Sequence, residues 1–193
     1  MSDNLILKKN AKIEECKAYY LLKDILFFDK IVVVGDDISK NLPDVYTKDL
    51  SIGVEVTSCE HISQFLVENY NKTNNKTAQF IIDEYEKLSL KDKNLLFMEE
   101  FEKVLEKKIK KIPNYKSCES LNLIIVSDNE NKNYLRRDSL AEIYENLSKK
   151  HNKKYNNLFL YYNDTLYVEI NYTFVKLKKV KLDKLKFDKS RCL

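Results

Sequence analysis

Glycine, proline, histidine and tryptophan are almost missing from this 193-residue chain, which has two glycines, two prolines, two histidines and no tryptophan. The glycine shortage excludes whole classes of chemistry. A P-loop needs Gly-x-x-x-x-Gly-Lys-Ser/Thr, and a dinucleotide fold needs Gly-x-Gly-x-x-Gly. Gly35 and Gly53 stand alone and build neither. A Gly-x-Ser-x-Gly nucleophile elbow cannot be assembled either. No nucleotide cofactor and no serine-hydrolase chemistry is therefore expected. The four cysteines, Cys16, Cys59, Cys118 and Cys192, are far apart. Together with His61 and His151 they give no zinc-finger spacing. Cys59-Glu60-His61 is a compact trio of ligand types, and small buried thiols are the commoner outcome. No apolar run is long enough to span a bilayer. The opening residues, Met-Ser-Asp-Asn-Leu-Ile-Leu-Lys-Lys, lack the order of a signal peptide. The expectation is no membrane association and a cytoplasmic location.

What is present is ordinary for one globular domain. Apolar residues make up 44% and charged residues 33%, enough for a sizeable core under a solvated surface. One domain over residues 1–193 is expected, and the sequence leaves its oligomeric state open. The net charge of +4 points weakly to an anionic partner. Arginine, the better bidentate reader of bases, is scarce beside lysine, which argues against a sequence-reading DNA binder.

Periodicity gives a coarse element order. Residues 1–10 read as a frayed start. Residues 11–28 read as a helix apolar on most of its surface, which predicts burial on more than one side. Glu15 shares a stripe with Tyr19, Leu22 and Leu26, and Glu14 shares one with Ala18, Leu21 and Ile25. Either acid can face inward, and both also suit the helix dipole as solvated first-turn residues. Ile31 to Val34 is a short β-branched strand. A hairpin follows over 44–57, turning near Asp49-Leu50-Ser51. Helical spacing begins at Glu60, is interrupted at 71–76, resumes over 77–88 and 91–112, and stops at Pro113. Leu121 to Val126 is a second buried strand. A helix over about 136–150 and a hairpin over 158–162 and 166–170 complete the regular elements. Residues 176–191 are strongly basic, which fits an edge strand guarded by lysines, a phosphate-contacting arm, or both.

The stretch with chemical content is Pro43 to Thr57, Pro-Asp-Val-Tyr-Thr-Lys-Asp-Leu-Ser-Ile-Gly-Val-Glu-Val-Thr. Residues two apart on a strand share a face, so Glu55 and Thr57 point one way and Val54 and Val56 the other. A carboxylate inside an apolar strand is costly unless it is solvated, paired or bound to metal. A hairpin that folds Asp44 back beside Glu55 makes a hard-oxygen site of the kind Mg²⁺ accepts. The ordinary alternative is a plain hairpin with Glu55 on a wet face. Gly53 within the second strand points to a bulge or a close backbone approach.

Pro43, Asp44, Gly53, Val54, Glu55, Val56 and Thr57 together resemble the PD-(D/E)XK nuclease-like superfamily, in the variant that carries Gly-(Ile/Val)-Glu-Val-Thr. The resemblance implies an α/β, three-layer α/β/α restriction-endonuclease-like fold with a mixed central sheet. Its core would span about 11–127, followed by a C-terminal helix plus β-hairpin extension over about 128–193. It implies Asp44 and Glu55 as catalytic acids that bind Mg²⁺ or Mn²⁺, helped by the main-chain carbonyl of Val56 and by Glu15. Thr57 stands where the family has a lysine. A hydroxyl can orient water but supplies no charge, so a lysine from elsewhere, such as Lys72 or Lys76, would have to fill the gap. Lysines at 107–111 and 176–189 would hold a nucleic-acid backbone, DNA favoured over RNA, with low sequence preference. The alternative is a catalytically degenerate nuclease-like fold that binds nucleic acid or a protein partner.

Overall fold

The computed structural model describes residues 4–27, 29–35, 41–59, 78–115, 118–127 and 137–182. These form one eight-stranded mixed sheet and four helices. Strand β1 (Leu5–Leu7) leads into helix α1 (Ile13–Leu26), followed by β2 (Val32–Val34), β3 (Val45–Thr47) and β4 (Ile52–Ser58). Helices α2 (Ala78–Lys87) and α3 (Leu90–Lys111) come next, then β5 (Ser120–Ser127) and α4 (Arg137–His151). The last elements among the described residues are β6 (Leu158–Tyr162), β7 (Thr165–Ile170) and β8 (Thr173–Lys179). The strands lie side by side in chain order. The pairs β1–β2, β4–β5 and β5–β6 are parallel and need helical crossovers; the other four are antiparallel.

Alternation along the central strands sorts the core onto two faces. Val54, Val56, Ile124, Val126, Phe159 and Tyr161 pack with Cys16, Ala18, Leu21 and Leu22 of α1. The residues between them, Leu123, Ile125, Leu158, Leu160 and Tyr162, pack with Phe97, Phe101, Leu105 and Ile109 of α3 and with Leu140 and Tyr144 of α4. Helix α3 starts where Ser89 caps it, its Oγ accepting from the Asp92 amide at 3.2 Å. It ends in a 3₁₀ turn, Ile112–Asn114, that contains Pro113.

Three readings of the sequence change. Residues 5–7 are a strand rather than frayed chain: Leu5 and Leu7 pack on the first cluster while Ile6 stays exposed. A three-residue alternation is too short to stand out from noise. Helix α1 is covered on fewer sides than its apolar content predicts, since Ile13 and Ile25 are exposed. The C-terminal elements do not form an appendage, because β6 pairs in parallel with β5 and the sheet continues through β8. Among the described residues the lysine-rich β8 is an edge strand. The helix expected from Glu60 lies outside the described residues, as do Glu60 and His61 of the Cys59 trio; Cys59 itself is buried in the second cluster. Among the described residues, no helix is long and apolar enough to cross a membrane.

Gly53 marks a close approach of side chains. A β-carbon there would lie 2.7 Å from Cγ of Pro43 and 2.8 Å from Sγ of Cys118, with Leu121 at 3.3 Å. The strand is regular at this point, with Tyr46 opposite Gly53. The proline ring therefore packs into the space a side chain would fill, and this fixes the path of the chain into Asp44. Gly53→Ala is expected to destabilise the fold by about 1–3 kcal/mol, the usual cost of overpacking. Urea unfolding of the variant checks this; an unchanged midpoint would show that Pro43 can move aside.

Candidate functional site

The β3–β4 hairpin brings the two acids together. Val45 pairs with Val54, so one step further along the ladder sets Asp44 opposite Glu55. Asp44 is held by its surroundings on both sides. Its main-chain oxygen accepts from the Gly35 amide at 2.9 Å, and its Oδ2 accepts from the Val56 amide at 2.8 Å. Both acids are nearly buried, Asp44 at 9% exposure and Glu55 at 3%. Glu55 sits beside Leu123 in the ladder and thus on the face covered by α3 and α4.

Helix α3 supplies the charge that the strand lacks. The Lys108 ammonium donates to Glu55 Oε2 at 2.5 Å and to the main-chain oxygen of Val56 at 3.0 Å. Asp44 Oδ2 lies 3.9 Å from the same nitrogen. Lys108 follows Phe101 by seven residues and Leu105 by three, which places it on the flank of the buried stripe. Its carbonyl is left over by the 3₁₀ ending, because the Ile112 amide bonds to Ile109. The buried Tyr155 hydroxyl donates to that carbonyl at 3.0 Å. Tyr155 is fixed in turn by the Tyr144 hydroxyl, which accepts from its amide and donates to its carbonyl, each at 3.1 Å. The far side of the helix is tied to α4, where Glu106 meets Lys150 at 2.9 Å and His151 at 3.0 Å.

These groups open onto a cavity of about 430 Å³. Thr57 and Tyr115 form part of its wall, with Lys12 and Lys111 also lining it. The Tyr115 hydroxyl lies close to the Glu55 carboxylate. Burial first, then the negative charge of Glu55, raise the Tyr115 pKa well above that of a free phenol, so it remains a donor. Burial, followed by the charge of Glu55, pushes the Asp44 pKa up to about 7, against the pull of Lys108 and the Val56 amide.

The expected ligands are placed unequally. Asp44, Glu55 and the Val56 carbonyl surround one ammonium. Glu15 is the inward-facing acid of its pair, at 2% exposure, whereas Glu14 is exposed. Glu15 reaches the cavity wall, yet its carboxylate is engaged locally, accepting from the Lys12 amide at 2.9 Å in the first turn of α1. Among the described residues, no three acidic, histidine or cysteine side chains gather closely enough to hold a metal ion. Of the helix lysines expected to touch phosphate, Lys107 is exposed, Lys110 pairs with Glu106 at 3.3 Å, and Lys111 lines the cavity. Lys72 and Lys76 lie outside the described residues. Reading by sequence missed that Lys108 turns to the acids; its phase on the α3 stripe was the available signal. Comparison with known proteins finds no matching family model, no significantly similar curated protein and no significantly similar solved structure.

Proposed function

We propose that this chain is a metal-dependent nuclease of the restriction-endonuclease-like kind, hydrolysing phosphodiester bonds in nucleic acid, with DNA the favoured substrate. The observation that carries the reading is the convergence of Asp44, Glu55 and the Val56 carbonyl on the single ammonium of Lys108. Three hard oxygens around one cationic position suit Mg²⁺ or Mn²⁺. Asp44, Glu55 and the Val56 carbonyl would hold the ion, while Glu15 adds negative charge nearby. Such an ion supplies charge neutralisation at the phosphate and a more acidic water.

The chain's own residues have distinct roles in this reading. With an ion among those oxygens the Lys108 ammonium would stand beside it, supplying the positive charge that the superfamily places two residues after the glutamate, where this strand has Thr57. The Thr57 hydroxyl orients water at the cavity wall. Tyr115 fixes the rotamer of Glu55. Lys12 and Lys111 attract phosphate oxygens to the cavity mouth. The arrangement of α1 on one face and α3 with α4 on the other supports the α/β/α sandwich of that superfamily.

Incubating plasmid DNA, single-stranded DNA and structured RNA with Mg²⁺ or Mn²⁺ tests the reading, with Glu55→Gln as the comparison. Metal-dependent cutting that disappears in the variant is expected. Cutting that persists in Glu55→Gln, or no cutting of any substrate by the wild type, would defeat it.

A further inference from the structure

A bulge in β8 decides where its lysines point. Thr165 faces Lys179, Tyr167 faces Lys176 and Leu166 faces Lys178, with a register shift between Leu166 and Tyr167. Leu177 is the extra residue. In a regular strand Lys176 and Lys178 would share a face. The bulge instead joins Lys176 to Lys179 beside Thr165 and Tyr167. Lys178 goes to the opposite face with Leu166, toward Lys23 and Asp24 of α1. Bulges at sheet edges re-aim side chains in this way.

Lys176 and Lys179 meet Lys181 around a second cavity, of about 360 Å³, that Asn163, Asp164 and Thr165 complete. Three lysines line it with one aspartate. The Asp164 carboxylate accepts from the Tyr161 hydroxyl at 3.5 Å, and its main-chain oxygen accepts from the Val180 amide at 2.7 Å. Among the described residues, no ion pair engages Lys176, Lys179 or Lys181. On the same face the Arg137 guanidinium lies 5.2 Å from the centre of the Tyr167 ring.

Two relations connect this hollow to the acids. Tyr167 packs against the second core cluster, as does Leu123 beside Glu55, so the lysines rise from the same face of the sheet. Strand β8 also runs in the same direction as β4, β5 and β6, and Lys179 lies at its carboxyl end. Four strand steps separate β4 from β8, roughly 19 Å at about 4.8 Å per step. That is about five or six nucleotides of B-form strand at its rise of about 3.4 Å.

We propose that this basic hollow is a second subsite for the phosphate backbone of nucleic acid, several nucleotides away from the bond to be cut. It makes the chain prefer long strands over very short ones. The inference rests on the nuclease reading for its orientation toward Glu55, but backbone binding can be measured without cutting.

Fluorescence anisotropy of a labelled single-stranded 16-mer and a 4-mer, without divalent ions and across a salt series, tests it. The triple variant Lys176→Gln, Lys179→Gln, Lys181→Gln should bind the 16-mer about tenfold or more weakly. Its slope of log affinity against log salt should fall by about 2, at about 0.7 for each lost charge on single strands. The wild-type preference for the 16-mer over the 4-mer should shrink, and the corresponding triple arginine variant should retain it. Should the triple glutamine variant unfold, each single variant should remove about a third of the slope change. Unchanged 16-mer affinity and slope, equal losses for both lengths, or no wild-type binding at low salt would overturn the subsite. If binding falls as expected while the wild type cuts nothing in Mg²⁺, the nuclease reading fails and the subsite stands.

Discussion

Lys108→Met should lower the cleavage rate by on the order of 10²–10³-fold, the usual loss when a preorganised charge at a developing anion is removed. Substrate binding should change little, because Lys12 and Lys111 remain at the cavity. The same variant should also unfold more easily, in a pH-dependent way. Lys108 opposes the rise of the Asp44 pKa, so removing it lets that pKa climb further above 3.8. The folded state then holds a proton that the unfolded state has released, and stability falls as pH rises. Loss of the Lys108–Glu55 pair lowers the melting temperature of the variant throughout, and the gap to wild type should therefore be smallest near pH 5 and widen above pH 7. A constant gap across this range would mean that Lys108 stabilises through Glu55 and packing and not through Asp44. A cleavage rate within threefold of wild type would remove Lys108 from the chemistry.

Asp44→Asn should abolish cutting and yet make the protein more stable at pH 8. Folding raises the Asp44 pKa from 3.8 to about 7, chiefly by burial. Between those values the folded state binds more protons than the unfolded one. This group's stabilising contribution is thus complete below 3.8 and is lost as pH rises through about 7. A shift of that size corresponds to at most about 4 kcal/mol. Asparagine keeps the shape and an oxygen for the Val56 amide, and it does not titrate. Melting curves without divalent ions should coincide near pH 4 and diverge by pH 8, with the variant higher. Parallel curves, or a less stable variant at pH 8, would contradict a strained acid at this position. Charged groups kept at a cost to stability are expected where function requires them.

The hairpin and its acids were legible because the relation is local. Pro43, the turn at Asp49-Leu50-Ser51 and the strand alternation put Asp44 and Glu55 on one face, and the ladder places them opposite each other. Gly53 read as a bulge or a close backbone approach, whereas the strand is regular and it is side chains, those of Pro43 and Cys118, that crowd it. The four lysines at the end of α3 looked alike in sequence. Helical phase selects Lys108, and the packing of Phe97, Phe101, Leu105 and Ile109 against β5 and β6 then carries it over Glu55.

By itself the sequence excluded a P-loop, a dinucleotide loop and a serine elbow, gave elements that mix helix and strand, and offered a hairpin able to set Asp44 beside Glu55. Tertiary structure decided the rest. It made Leu5–Leu7 a strand, ran the C-terminal elements into the same sheet, and brought the Lys108 ammonium from a helix onto Glu55 and beside Asp44. The division has a physical reason. Turn chemistry and strand alternation act over a few residues and are written in them. The position of Lys108 depends on how a whole helix settles on a sheet, and that is set by the summed burial of side chains far apart in the chain.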